Sequence, residues 1–289
     1  MAAVRSGEGI KVHTCARAPP IIDRASESRR KSDMDLTGRT ALVTGANRGI
    51  GRALCEALAA RPLRLVLAGV RDPDAFEPIE GVRAVHMDLS SRESIDACVD
   101  ALDLTAVDLL VNNAGQMTGG LLEEQEMEPV YAMFQVNLVA VAHLTARVLP
   151  HMLARGRGMV VNNTSISGYA SFPAASTYAA SKAGVVALSE SLRRELKGTG
   201  VGVLHVVTPG VNTDMLDATE EVYGRHMDTS GWDKVEPAEW VEKVLEAVEA
   251  DRHILGPGGR TAYAKLASRG PAFVLDALSD RMFSRQPRT

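Results

Sequence analysis

Three cysteines in 289 residues, Cys15, Cys55 and Cys98, are too few and too widely spaced for a disulfide framework or a thiolate zinc site. That usage fits a reducing compartment, and a cytoplasmic location is expected. Cys55 lies among alanines and leucines and reads as a small core residue. The seven histidines show no metal-ligand spacing, so no metal is assigned. Charge of either sign is not in excess: the formal net charge is −4, with no basic block beyond "RRK" at 29–31, which argues against a nucleic-acid partner. No apolar run approaches the ~18 residues a membrane span needs. Sustained periodicity is missing from residues 1–35, which mix charges, serines and a Pro-Pro pair without the apolar stretch of a secretory signal. Arginines and serines there resemble a transit peptide faintly, but acids are interspersed. The expectation is a disordered extension, with Met34 just ahead of the first ordered signal.

From Arg39 a rhythm begins. Short apolar runs at 40–45, 63–69, 82–88, 107–113, 158–165, 201–207 and 253–256 alternate with helical periodicity over 49–60, 91–102, 127–149, 178–197 and 237–250. Continuous apolar strands separated by amphipathic helices predict an α/β fold: a doubly wound, seven-stranded parallel sheet with helices on both faces. The interval between the second and third strands, with Pro73 and Pro78, is too short to predict a helix there. No internal repeat or Pro/Gly-rich linker divides residues 36–260, so one domain is expected there, with 261–289 as a helical extension packed on the domain or on a partner.

Two local patterns carry chemistry. "TGANRGIG" (44–51) joins the first strand to the first helix, with glycines at 45, 49 and 51 that permit a tight turn and close approach of a pyrophosphate to the helix N-terminus. In "TYAASKAG" (177–184), Tyr178 and Lys182 stand four apart, a spacing that stacks both side chains on one helix face.

With these two in place the chain resembles the short-chain dehydrogenases/reductases, in the single-domain branch with a T-G-x-x-x-G-x-G signature, from about Leu36 to Gly256. "NNAG" (112–115), "VN" (136–137), "NTSISG" (163–168), the Y-x-x-x-K pair and "TPG" (208–210) follow in the family's order. The resemblance implies hydride transfer between a nicotinamide cofactor and a carbonyl or alcohol. It implies Tyr178 as acid/base, Lys182 as its electrostatic tuner and ribose ligand, Ser165 as partner of the substrate oxygen, and Asn137 as holder of a proton-relay water. Bringing a phenol from pKa ~10 to neutrality takes about 4 kcal/mol of differential stabilisation, much of which a cation one turn away in a dry site can supply. Taken alone, Ser165 could merely satisfy backbone groups, Asn137 could bond a neighbouring loop, and Asn113 could be a turn residue.

The resemblance also implies cofactor contacts at Gly45, Asn47, Arg48, Gly49, Ile50 and Gly51, at Arg71, at Asp88 and Leu89, at Asn113, Ala114 and Gly115, and at Pro209, Gly210, Val211 and Thr213. The second strand runs "VLAGVRDPD", with no acid before Asp72 to read a ribose 2′-hydroxyl, while Arg71 and Arg48 suit a 2′-phosphate. NADP is therefore expected over NAD. Beyond the carboxyl ends of the strands, Gln116, Met117, Ser167, Tyr169, Phe172, Val211 and Met215 are candidate pocket residues. Being mostly apolar and free of arginine, they point to a lipophilic ketone, aldehyde or alcohol. The weakly patterned stretch 211–236 reads as a mobile lid.

Two departures from the family stand out. The threonine after "PG" comes one residue early, which puts in doubt Thr213's bond to the nicotinamide. The chain also ends in "GPGGRTAYAKLASRGPAFVLDALSDRMFSRQPRT", read as two short helices. Their apolar face, Leu266, Phe273, Val274, Leu275, Leu278, Met282 and Phe283, would pack on the domain or in a homodimer, or meet lipid. The rival functions are a catalytically silent NADP(H) sensor, and a lyase or epimerase on the same fold.

Overall fold

The computed structural model describes residues 34–230, 232–259, 262 and 272–286. Seven strands form one parallel sheet: β1 (Thr40–Thr44), β2 (Leu65–Val70), β3 (Val82–His86), β4 (Val107–Asn112), β5 (Gly158–Ser165), β6 (Val201–Thr208) and, after the short pair β7 (Gly210–Val211) and β8 (Lys234–Val235), β9 (Ile254–Leu255). Their spatial order is β3-β2-β1-β4-β5-β6-β9, reversing direction of growth between β1 and β4. That crevice, at the carboxyl ends of the strands, is where ligands bind in open α/β sheets.

Both faces are covered, as the apolar strands require. Helices α1 (Gly49–Ala59) and α7 (Pro237–Glu249) share one face, where Leu54, Cys55 and Leu58 meet Trp240, Val244 and Leu245 over β1, β4 and β6. The other face carries α2 (Arg92–Ala101), α4 (Ala140–Arg155) and α5 (Ser176–Glu195). Helix α2 starts where the Ser91 hydroxyl accepts the Ser94 N–H, and α4 ends at Gly156, whose φ of 61° allows the left-handed cap.

Helix α3 (Met127–Phe134) runs through a π turn, Gln135–Val139, into α4 as one helix. Contrary to the expectation from sequence, this Met127–Arg155 helix is long and apolar enough to cross a membrane, with mean hydropathy 1.4. One apolar face of it is nonetheless in the core: Val136, Ala140, Leu144, Val148 and Met152, four apart, lie buried on the sheet, while Met127, Tyr131, Val139 and Leu153 are exposed.

The stretch 211–236 holds more order than its weak pattern implies. Helix α6 (Asp214–Gly224) occupies its first half, and β7 pairs with β8 to close its base, Gly210 opposite Lys234 and Val211 opposite Val235. The last element, α8 (Ala272–Met282), returns to this excursion: the Asp228 N–H donates to the Met282 carbonyl, and Phe283 bridges Met227. Val274 is exposed rather than packed. Leu266 and the side chains of Phe273, Leu275 and Leu278 lie outside the described residues, as do the expectations for 1–33. Met34, assigned above to the extension, already belongs to the fold, its N–H donating to the Glu249 carbonyl at 2.7 Å.

A buried polar chain crosses the middle of the sheet and ties it to two helices. Asn112 on β4 donates to Asn162 on β5 (2.8 Å) and to Thr145 on α4 (3.2 Å), and Asn162 donates to Ser189 on α5 (2.9 Å). Truncating Asn162 to alanine strips both neighbours of a partner, and should lower the unfolding free energy by about 2 kcal/mol. Denaturant melts check this; a loss below about 0.5 kcal/mol would mean the chain contributes little to stability.

Candidate active site

The carboxyl ends of four strands are stitched together by short polar side chains. The Thr44 hydroxyl, ending β1, accepts the backbone N–H groups of Asn113 (3.0 Å) and Ala114 (3.1 Å), while the Asn113 amide donates to the Thr44 carbonyl (3.0 Å). Asn163 on β5 donates to the Asn113 side-chain oxygen (3.1 Å) and accepts from the Thr208 hydroxyl at the end of β6. Asn113 is thus a structural joint between strands, the turn role its sequence context left open.

Onto this platform α5 delivers the Tyr178–Lys182 pair. Lys182 is only 5% exposed, and its ammonium donates to the Asn163 carbonyl at 3.0 Å. It stands 5.9 Å from the centre of the Tyr178 ring, one turn away, as the spacing requires. Burial pushes the Lys182 amine down to about 8. Burial also pushes the Tyr178 phenol up to about 12, with the Ser165 hydroxyl pulling the other way. The lowering of the phenol that the lysine spacing suggests is thus opposed here by burial. Removing water costs the phenolate more than its neighbours return. Near neutrality Tyr178 is a protonated phenol beside a mostly charged amine.

Ser165 ends β5 and accepts the Ser167 N–H at 3.2 Å, opening a 3-10 turn, Ile166–Gly168. Asn137 lies in the π turn, 1% exposed, and its side chain makes three hydrogen bonds: it accepts from the Gln116 N–H (2.8 Å) and donates to the Gln116 carbonyl (2.8 Å) and the Ser181 hydroxyl (3.0 Å). It holds the loop after β4 against α5 and does not line the cavity.

These elements wall a single cavity of about 980 Å³ along the carboxyl ends of the strands. Tyr178, Lys182 and Ser165 line it, together with every residue expected to contact a cofactor, from Gly45 to Thr213. At one end, the turn before α1 is compact because it is glycine: Gly45 has φ of +64°, and a Cβ on Gly51 would fall 2.0 Å from the Gly45 carbonyl oxygen. Helix α1 opens there with no capping side chain and no acid in its first turn. Arg71 is exposed at the end of β2 and lines the same end, whereas Asp72 turns away to accept the N–H groups of Asp74 (3.1 Å) and Ala75 (3.3 Å). Arg48 makes an exposed ion pair with Asp214 at 2.9 Å, a contact worth little in water. Burial raises the Asp88 carboxyl, but hydrogen bonds from Ser90 and the charges of Arg71 and His86 outweigh it and hold it below the usual range. Thr213 sits over the turn, its methyl 3.2 Å from where a Gly49 Cβ would be, and its hydroxyl donates to the Val211 carbonyl at 3.1 Å.

Phe172, Trp232 and Met282 bring an apolar cluster to the cavity wall. Gln116, Ser167, Phe172, Val211 and Met215 line the cavity as expected of pocket residues; Met117 and Tyr169 do not. Met117 packs behind the wall with Phe172, Val222 and Trp232. The Tyr169 hydroxyl is 2.7 Å from His205 Nε2, the two rings stacked at 6.2 Å, so this tyrosine is drawn to the buried histidine of β6 rather than to the pocket. Sequence reasoning missed Tyr223 and Asp233. Tyr223 sits at the end of a helix that the lid reading did not anticipate.

The model of the family described as short chain dehydrogenase matches residues 39–223. An uncharacterized oxidoreductase of Staphylococcus aureus is 30% identical over 227 residues, 76% of this chain and 94% of its own length. A 3-oxoacyl-acyl-carrier-protein reductase of Vibrio cholerae is 33% identical over 195 residues, 65% of this chain and 80% of its own. Among solved structures, a short chain dehydrogenase from Burkholderia cenocepacia in complex with NADP superposes with a TM-score of 0.74 at 28% identity, covering 85% of this chain and 99% of that one.

The dry setting of Lys182 is directly testable. With lysine side chains isotopically labelled, one resonance should titrate near pH 8, charged below and neutral above. It should vanish in Lys182→Arg. A Lys182 resonance that titrates instead near the ordinary lysine value of about 10.4 would show that the amine is hydrated.

Proposed function

The chain belongs to that family, the short-chain dehydrogenases, and we propose that it interconverts a lipophilic carbonyl compound and its alcohol with NADP(H). The observation that carries this reading is the meeting of Tyr178, Lys182 and Ser165 on the wall of the cavity that also holds the glycine turn.

The residues present fit a dinucleotide. The uncapped first turn of α1 and the close-packed Gly45, Asn47, Gly49, Ile50 and Gly51 suit a pyrophosphate. Arg71 and Arg48 suit a 2′-phosphate, and Asp72, committed to its own turn, offers no carboxylate to a 2′-hydroxyl. Asp88 and Leu89 would face the adenine, Asn113, Ala114 and Gly115 the ribose side, and Pro209, Gly210, Val211 and Thr213 the nicotinamide. The NADP-bound relative supports the same preference. A bound, reduced nicotinamide supplies hydride.

In carbonyl reduction Tyr178, protonated at neutral pH, donates its proton to the substrate oxygen as negative charge grows there. Ser165 donates a hydrogen bond to the same oxygen and stabilises that charge. Lys182, cationic below about pH 8, lowers the cost of leaving a phenolate on Tyr178. Asn137 acts at one remove by fixing the Gln116 loop against α5. The apolar side chains of Phe172, Met215, Leu216 and Trp232 favour a lipophilic substrate and exclude water from the reacting centre.

NADPH oxidation followed over carbonyl compounds graded in size and lipophilicity tests the reading. Tyr178→Phe should lower turnover by about 10²-fold or more while still binding NADPH. A parent that binds NADPH and reduces nothing would favour a sensor. Arg71→Ala should weaken NADPH binding about tenfold and leave NADH binding unchanged, as measured by fluorescence titration; equal losses for both would remove the 2′-phosphate assignment.

A further inference from the structure

Among the described residues four buried side-chain polar atoms have no hydrogen-bond partner: Arg155 Nε, Arg193 Nε, Trp240 Nε1 and the Tyr223 hydroxyl. Of these residues Tyr223 alone lines the cavity. It is 3% exposed, at the end of α6. Buried hydroxyls in folded proteins are nearly always satisfied, so one left without a partner on a residue that lines the cavity points to a partner that enters with a ligand.

The ring has no freedom to seek a partner elsewhere. Trp232 meets it edge-on, centroids 6.1 Å apart at 78°. On another side it lies against Gly119, where a Cβ would fall 2.3 Å from ring atom Cε1, so any other residue there would displace it. Its backbone carbonyl accepts the N–H groups of His226 (2.9 Å) and Met227 (2.7 Å), which anchors the helix end. Phe172 and Met282 complete the apolar surroundings.

We infer that Tyr223 is a specificity-determining residue whose phenol donates a hydrogen bond to a second oxygen of the substrate, selecting carbonyl compounds that carry an additional neutral acceptor over plain ketones. This rests on the carbonyl reductase reading of the same cavity. Burial, and the neighbouring Tyr178, push the Tyr223 phenol far above its ordinary value, so it remains a donor at every working pH. The acceptor is a neutral ester, amide or ketone oxygen rather than a carboxylate, because Tyr223 is packed among Phe172, Trp232 and Met282, surroundings in which an added charge is costly.

The test compares the parent and Tyr223→Phe on 4-nonanone and on two keto esters of the same chain length, with the ester carbonyl one or two carbons from the ketone. Tyr223→Phe should lower kcat/KM for a keto ester about tenfold, mainly through KM, and leave 4-nonanone within about twofold. Its melting temperature without ligand should equal or exceed the parent's, since the lost hydroxyl had no partner. Equal losses on ketone and ester, no loss on either, or a fall in melting temperature would each overturn the inference, the last by showing that the hydroxyl is bonded within the fold. A parent that reduces none of the three compounds while binding NADPH would instead count against the reductase reading, and the melting comparison would still decide whether the Tyr223 hydroxyl is free.

Discussion

A buried ammonium held by one backbone carbonyl organises this protein's cavity. Lys182 lies almost wholly out of water, where a cation is costly unless bonded, and it donates to the carbonyl of Asn163 at the end of β5. That carbonyl is available because the Asn163 side chain is fixed between Asn113 and Thr208, and Asn113 in turn is fixed by Thr44. Four strand ends and the helix carrying Tyr178 are therefore positioned by one continuous set of hydrogen bonds. The polar chain through Asn112, Asn162 and Ser189 repeats the arrangement one layer below and docks the same helix. Networks of this kind rigidify a site when every member is satisfied, and here the members are satisfied by one another.

The same burial sets the electrostatics. A phenol and an amine withdrawn from water both move toward their neutral forms, Tyr178 upward and Lys182 downward. Stacking the pair on one helix face does not by itself acidify the phenol. It yields a protonated phenol next to a cation. The cavity is lined both by the glycine turn and Arg71 and by the apolar side chains of Met215, Leu216, Trp232 and Met282.

Much of this was legible beforehand because its signals are local. The alternation of apolar runs and helical stripes determined the seven-stranded sheet, and the glycines of 44–51 determined the turn, since both depend on neighbours in sequence. The exceptions are instructive. Tyr169 looked like a pocket residue from its place after β5, but His205, thirty-six residues on, draws its hydroxyl away. Met117 lies in the right loop and faces the wrong side of it. The order in 211–236 comes from pairing of β7 with β8 and from contact with the returning chain at Met282 and Phe283, none of which leaves a periodic trace.

The sequence by itself determined the parallel α/β architecture, the position of the glycine turn and the one-turn separation of Tyr178 and Lys182, because each follows from backbone geometry and short-range spacing. Tertiary structure alone decided which side chains share the cavity, that the Asn137 side chain bonds the Gln116 loop, that burial pushes the Tyr178 phenol up, and that Tyr223 stands with its hydroxyl unpartnered. Those outcomes depend on desolvation and on partners distant in sequence, and both exist only once the chain has closed on itself.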